Sequence, residues 1–431
     1  MQSASVAVAT DLSADSQGTP SPIPDPERSR ARALLIACLT VAFERFGFYV
    51  LFSLFTLCLI ERDHLREDQA SFGFGLLIAL AYFAPLFGGP IADRFGRFTT
   101  VAVAGIFLSL SYLLLSTNLP IQWFLLVFCI GAGLFKGNIT AAVGAMFPNQ
   151  SERDAAYSRF YLAINLGALP SGVVGAWVVK HHGYRAAFLL CAVACLLATG
   201  LWCSARTLLT DHERTECTTQ HHHASERERL KTIFVLLPVA VLFFFVFHQS
   251  GSSLTLFAAH NTHPTLLGVV LDPPSYQSLQ AALVIALTPL LTRLWQRWPL
   301  ATHHKILLGM LLCTASCVVM IAASWLGGNH ARVSPLWLMG SYVLVSVAEL
   351  CVSPIGFSLV SKLSPPRMVG LLMGLWLAAI AVGNLSVGLI GRYWTEWSHQ
   401  RFFFVLAGIS FLAVPLLLSQ RTRLRNILGD S

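Results

Sequence analysis

Five side chains that carry charge or titrate fall inside long apolar stretches of this sequence: Glu44, Arg45, Lys136, His248 and Glu349. A charge in the middle of a hydrocarbon layer costs about 2.5–3.5 kcal/mol even on permissive scales, so each needs a partner or a task. Two acids and two bases permit near-complete pairing. A fixed network of ion pairs would only hold helices together. Groups that exchange partners as two halves of a protein move would instead pass protons and bind a charged solute. Histidine suits such a relay, since a free imidazole titrates near pH ~6.5. Two other histidine groups, His221 to His223 and the pair His260 and His263, invite a metal-centre reading. The second pair shares a helical face by spacing, but no further Cys, His or carboxylate set completes a site at either place. No metal and no cofactor is expected, and the chain does not read as an enzyme.

Composition says what surrounds these residues. Of 431 residues, 55% are hydrophobic and 12% charged, where soluble proteins average about 25% charged. The mean hydropathy is +0.64. So few charges cannot cover an aqueous surface, which excludes a soluble enzyme, a disordered chain and a coiled coil. The ten cysteines sit mostly in apolar runs and read as small buried hydrophobes rather than a disulfide or metal framework. A net charge of +8 points to membrane orientation and not to nucleic acid, because basic loops stay on the cytoplasmic side.

Apolar stretches long enough for ~30 Å of hydrocarbon are expected at 33–60, 72–92, 98–117, 120–147, 158–180, 185–205, 232–258, 275–295, 304–326, 335–360, 370–393 and 401–419. With both termini in the cytoplasm, twenty Lys and Arg fall on that side and seven on the other. The expected organisation is therefore a disordered cytoplasmic tail over 1–32, a six-helix bundle over 33–205, and a polar cytoplasmic linker over 206–231. A second six-helix bundle follows over 232–419, with a cytoplasmic tail over 420–431. This is an all-α, multi-pass protein of the cell membrane, the inner one in a Gram-negative source.

Six spans, a polar hinge loop and six more resemble the major facilitator superfamily, in which two bundles rock about a central site. The loop GGPIADRFGR over 88–97 resembles that superfamily's signature between spans 2 and 3. There Asp93, Arg94 and Arg97 are expected to form a charge latch between helix ends. Four further segments narrow the resemblance: FERFGFYV in span 1, GLFKGNITAAVGAMFPNQSERDAAYSRFYLAINLGALPSGVVGAW across spans 4 and 5, FHQSGSSLTLFA in span 7, and AELCVSPIGFSLVSKLSPP with MGLWLAAIAVGN in spans 10 and 11. From about residue 40 to 390 the chain resembles the proton-dependent oligopeptide transporter family.

The resemblance implies roles. Glu44 and Arg45 match the end of the family's ExxER motif, and Tyr49 its second tyrosine. Lys136 matches the span 4 lysine that works with that pair and with the peptide carboxylate. Asn165 matches a pocket asparagine, Glu349 the span 10 glutamate that receives the amino group, and Trp376 the span 11 tryptophan. His248 and Gln280 stand at two further pocket positions. Proton coupling falls to Glu44, Arg45, Lys136 and His248. A zwitterion needs cations at one end of its pocket and an anion at the other, which Arg45, Lys136 and Glu349 supply from the two bundles. The implied activity is proton-coupled symport of dipeptides, tripeptides or similar zwitterions by alternating access, in a monomer embedded in lipid. Several positions depart from the pattern: Val41 replaces the first Glu of ExxER, Phe48 the first tyrosine, His248 a glutamate, Gln280 and Ala281 an Asn-Pro, and Gly137 a proline. They leave a second reading, a carrier of this superfamily for another small solute such as nitrate, an amino-acid derivative, a siderophore or a drug.

Overall fold

Long runs of Leu, Ile, Val, Phe and Ala leave a chain in lipid only helices as a way to satisfy every backbone group. The computed structural model describes residues 26–428 apart from 148, 207, 209–224, 299, 366 and 367. Most of the expected tail and linker, with His221 to His223, lies outside the described residues. The chain forms α1 (Pro26–Glu61), α2 (Glu67–Phe83), α3 (Pro85–Phe95), α4 (Arg97–Leu115), α5 (Ile121–Ala145) and α6 (Gln150–Ser204). After the central connection come α7 (Glu226–Phe247), a 3₁₀ turn (His248–Gly251), α8 (Ser253–His260), α9 (Ser275–Arg297), α10 (Thr302–Gly327), α11 (Pro335–Leu363), α12 (Val369–Gly391), α13 (His399–Phe411), α14 (Ala413–Ser419) and α15 (Arg421–Leu428). A two-residue hairpin, β1 (Thr265–Leu266) with β2 (Val269–Val270), lies between α8 and α9. Among the described residues, 11 helical stretches are long and apolar enough to cross a membrane.

The boundaries differ from expectation where local chemistry intervenes. Helix α1 begins at Pro26 rather than Ala33, with Pro supplying a helical φ at a point where no N–H is needed. The expected end tail over 420–431 contains α15. The fifth and sixth expected spans run together as α6, whose 55 residues would extend about 80 Å if straight. It is broken at Gly183, with φ 79 and ψ 172, a backbone conformation that a side chain would resist. The seventh span is interrupted at the 3₁₀ turn. There Ser and Gly replace good helix formers, and side chains take over backbone groups: Thr255 Oγ1 donates to the Ser250 carbonyl at 2.7 Å.

Helices α1, α4, α5 and α6 pack together in the first half, and α7, α10, α11, α12 and α13 in the second. The halves meet along α2 with α12 and α6 with α9. At the first crossing a Cβ built on Gly75 would stand 2.4 Å from the Gly388 nitrogen, so two backbones touch with nothing between them. At the second, the Ser278 hydroxyl accepts from the Gly172 and Val173 N–H groups at 3.0 and 3.1 Å. Thr56 Oγ1 donates to the Gly251 carbonyl at 2.6 Å, and His260 Nε2 lies 3.5 Å from Glu67 Oε1. These contacts cluster at the end that carries the α1–α2 turn. That end is sealed. At the opposite end Leu86 touches Gly374.

Candidate functional site

Helix α1 carries two adjacent charges into the protein interior. Glu44 is 2% exposed and Arg45 8%, and neighbouring residues on a helix point about 100° apart. They nevertheless pair: Arg45 Nε donates to Glu44 Oε2 at 2.5 Å and Nη2 to Oε1 at 2.6 Å. This two-pronged geometry is the strong form of a carboxylate–guanidinium contact. The guanidinium also lies 4.6 Å from the Phe48 ring centre.

Lys136 on α5 makes no carboxylate pair among the described residues. Its Nζ sits 3.5 Å from the centre of the Tyr82 ring, where the ring's negative face partly replaces a counterion. Glu44, Arg45, Phe48, Tyr82, Phe128 and Lys136 line one small cavity with room for about one water molecule. The structure thus gathers Glu44, Arg45 and Lys136 around a single space.

Glu349 enters from α11 in the other half. The Gln280 side chain of α9 lies near its carboxylate, and Tyr49 and Tyr161 of the first half lie close enough to feel its charge. No Lys or Arg pairs with it among the described residues. Gln280 Oε1 is buried without a hydrogen-bond partner among the described residues. Arg45 in one half and Glu349 in the other both lie close to Tyr49 and Tyr82, so the two ends of opposite charge share a tyrosine-lined interval.

His248 opens the 3₁₀ turn, buried and boxed by rings from both halves: Phe52 at 5.7 Å, Tyr82 at 5.8 Å, Phe244 at 5.5 Å and Phe247 at 4.9 Å between centroids. Its Nδ1 is hydrogen-bonded to the Asn384 side chain of α12. Asn384 escaped the sequence reading. A lone asparagine deep in an apolar span was the available signal, because an amide there requires a polar partner.

The other expected positions are less uniformly placed. Asn165 is buried, and its Nδ2 donates to the Tyr161 carbonyl on its own helix. Trp376 packs against Gly356 and Phe357, about two turns along α11 from Glu349, and its Nε1 is buried without a partner among the described residues. The Asp93, Arg94 and Arg97 latch is not engaged: no ion pair joins them among the described residues, and Arg94 lies 5.7 Å from the Phe95 ring centre. The described histidines, His260 and His263 included, belong to no group of three or more potential metal ligands.

A sequence signature of the Major Facilitator Superfamily matches residues 37–334. The chain belongs to the Major Facilitator Superfamily. Relatives within this superfamily include dipeptide and tripeptide permease A of Chromobacterium violaceum, 27% identical over 407 residues, covering 80% of this chain and 82% of the permease. The peptide transporter YePEPT of Yersinia enterocolitica is 28% identical over 443 residues, covering 82% and 86%. Among solved superfamily folds, a crystal structure of the peptide transporter POT in complex with sulfate superposes with a TM-score of 0.84 at 21% identity, over 94% of this chain and 99% of that one. A POT family transporter in complex with 5-aminolevulinic acid gives 0.82 at 20% identity, over 91% and 96%. The motif-level resemblance to peptide transporters is thus met by whole-chain relatives, and the fold is that of a multi-pass membrane transporter.

Proposed function

We propose that this protein is a proton-coupled secondary transporter of dipeptides and tripeptides that works by alternating access. One observation carries the reading: Arg45 and Lys136 in one half face Glu349 in the other, the charge layout that a zwitterion bridges. The names of the relatives support peptides over nitrate, siderophores or drugs. The peptide carboxylate is assigned to Arg45 and Lys136, with Tyr49, Asn165, Gln280 and Trp376 shaping the pocket. The amino end is assigned to Glu349. No cofactor enters the proposal; the proton gradient supplies the energy. The chain acts as a monomer in the cell membrane, the inner one in a Gram-negative source.

Reading α6 as two crossings that meet at Gly183 gives twelve spans in two six-helix bundles, 33–205 and 232–419, with both termini and the linker in the cytoplasm. The sealed end then faces outward. Asp93, Arg94 and Arg97 lie at the inner end, and their latch belongs to the other arrangement of the halves.

Uptake of labelled dipeptide and tripeptide into proteoliposomes, with and without an inward proton gradient, tests the proposal. Accumulation of peptide above equilibrium only with the gradient is the expected result; no peptide uptake under either condition overturns it. Lys136→Ala is expected to lose gradient-driven uptake by about 100-fold, as a cation lost from a low-dielectric relay leaves Glu44 and Arg45 without their exchange partner. Counterflow, which moves no net proton, should persist in part. Full accumulation by Lys136→Ala removes this residue from the coupling.

His248 has two candidate tasks, carrying the coupling proton or hydrogen-bonding in the pocket. Its bond to Asn384 and its aromatic box favour the pocket, because they hold one ring nitrogen and shield the imidazole. His248→Gln is accordingly expected to change which peptides compete for uptake by about 10-fold, the value of one neutral hydrogen bond, and to leave the pH profile from 5 to 8 unchanged. Loss of that pH dependence in the variant makes His248 the proton carrier instead.

A further inference from the structure

The turn at Gly183 carries basic side chains whose surroundings differ from those of other cations at the sealed end. Arg62 pairs with Asp63 at 2.7 Å and Arg66 with Asp68 at 3.0 Å. Arg392 lies over the Phe72 ring and Arg401 over the Trp397 ring. Lys180, Arg185 and Arg332 have no acidic or aromatic partner among the described residues, and of these Lys180 and Arg185 share one turn.

Their depth and direction follow from α6 itself. Leu162, Leu166, Pro170, Val173 and Trp177 are exposed at helical spacing, so they form one apolar stripe that faces lipid. Continuing that stripe leads to Lys180 and His181, both exposed. At the other end of the stripe stands exposed Arg159. Arg159 and Lys180 are separated by about 32 Å of helix, close to the ~30 Å of a hydrocarbon core. Lys180 and His181 therefore sit at headgroup depth. Trp177, 54% exposed, sits one turn deeper with its ring 4.7 Å from that of His181, in the position of an interfacial aromatic anchor. Beyond Gly183 the same pattern restarts: Arg185 leads a second lipid-facing stripe of Leu189, Val193 and Leu197. Two stripes thus converge on one turn, each capped by a cation.

We propose that Lys180, His181 and Arg185 form a headgroup site for one anionic phospholipid in the leaflet at the sealed end, with Trp177 packed against its upper acyl chain. The recognised group is a phosphodiester that carries net negative charge. Two cations without an acidic or aromatic partner among the described residues supply attraction, the His181 Nε2 edge supplies a hydrogen bond, and the break at Gly183 brings Lys180, His181 and Arg185 onto one turn. A zwitterionic lipid brings its own cation into the same space and gains less.

Quenching by lipids brominated near the top of the acyl chain tests this on the full-length protein in bicelles. The difference between wild type and Trp177→Phe isolates Trp177 from the other tryptophans. Half-quenching is expected at about a 25-fold lower mole fraction of brominated phosphatidylglycerol than of brominated phosphatidylcholine, about fivefold for each membrane-surface cation. Lys180→Gln with Arg185→Gln should bring the two lipids to parity, whereas Lys180→Arg with Arg185→Lys should keep the preference. Equal quenching in wild type, or an unchanged preference in the neutral double variant, overturns the proposal. Soluble glycerol phosphate should leave the quenching unaltered; displacement of the lipid by it assigns the turn to free phosphate esters and overturns the lipid assignment.

Discussion

Peptide uptake is expected to fall by about 100-fold in Glu349→Gln, with insertion and folding intact. The carboxylate lies near the Gln280 side chain and has no basic partner among the described residues. Removing the charge takes away the partner of the peptide's amino end. Losing one member of a buried charge pair costs about 2–5 kcal/mol, and about 2.7 kcal/mol, in the lower half of that range, corresponds to about 100-fold. Binding of labelled dipeptide and melting in detergent are to be measured together. Normal affinity in the variant removes Glu349 from the site. If the carboxylate were instead a structural brace, the variant would melt at lower temperature as well as lose activity.

The second large effect is expected at a residue with no side chain. Gly75→Val forces a branched side chain into the place where the Gly388 backbone stands, within 2.4–2.5 Å of an added Cβ. The neighbour is backbone and cannot rotate away. Overpacking of this kind costs about 1–3 kcal/mol, and here the cost falls only on the arrangement in which α2 and α12 touch. The sealed end would then be disfavoured by roughly 5- to 150-fold, and uptake should fall to below about a tenth of wild type. Binding measured on the open arrangement should survive. Wild-type transport by Gly75→Val shows that this seam need not close during the cycle.

Charges in apolar runs were readable from the sequence because the bilayer leaves them so few explanations. Glu44, Arg45, Lys136 and Glu349 stand out for that reason, and the structure gathers the first three around one cavity with the fourth across from them. The spans were readable too, since hydrocarbon thickness sets their length. Their joints were not. Nothing in VVKHHGYR announces that α6 continues to a single break at Gly183, because a glycine in that setting ends a helix as readily as it kinks one. Asn384 and Tyr82 stayed hidden because an uncharged residue in an apolar span is common. Their importance comes from which ring or imidazole lies opposite, and that is a fact of packing. Gly75 and Gly388 lie far apart in sequence, and only the crossing of α2 and α12 reveals that both must lack a side chain. For Trp376 the family motif supplied the pocket expectation, and only packing showed that its ring lies against Gly356.

The Ser278 hydroxyl that accepts from the Gly172 and Val173 amides ties α6 to α9 by bonds that must break when the halves part. Each such bond is worth only about 1 kcal/mol net, because water makes a similar one when the halves part. With the Thr56 contact the polar stitching sums to a few kcal/mol, a gap that thermal motion crosses on microsecond to millisecond timescales. The sealed end therefore breathes without substrate. Distance labels placed across the α6–α9 crossing would count those openings one by one, in a protein that is transporting nothing.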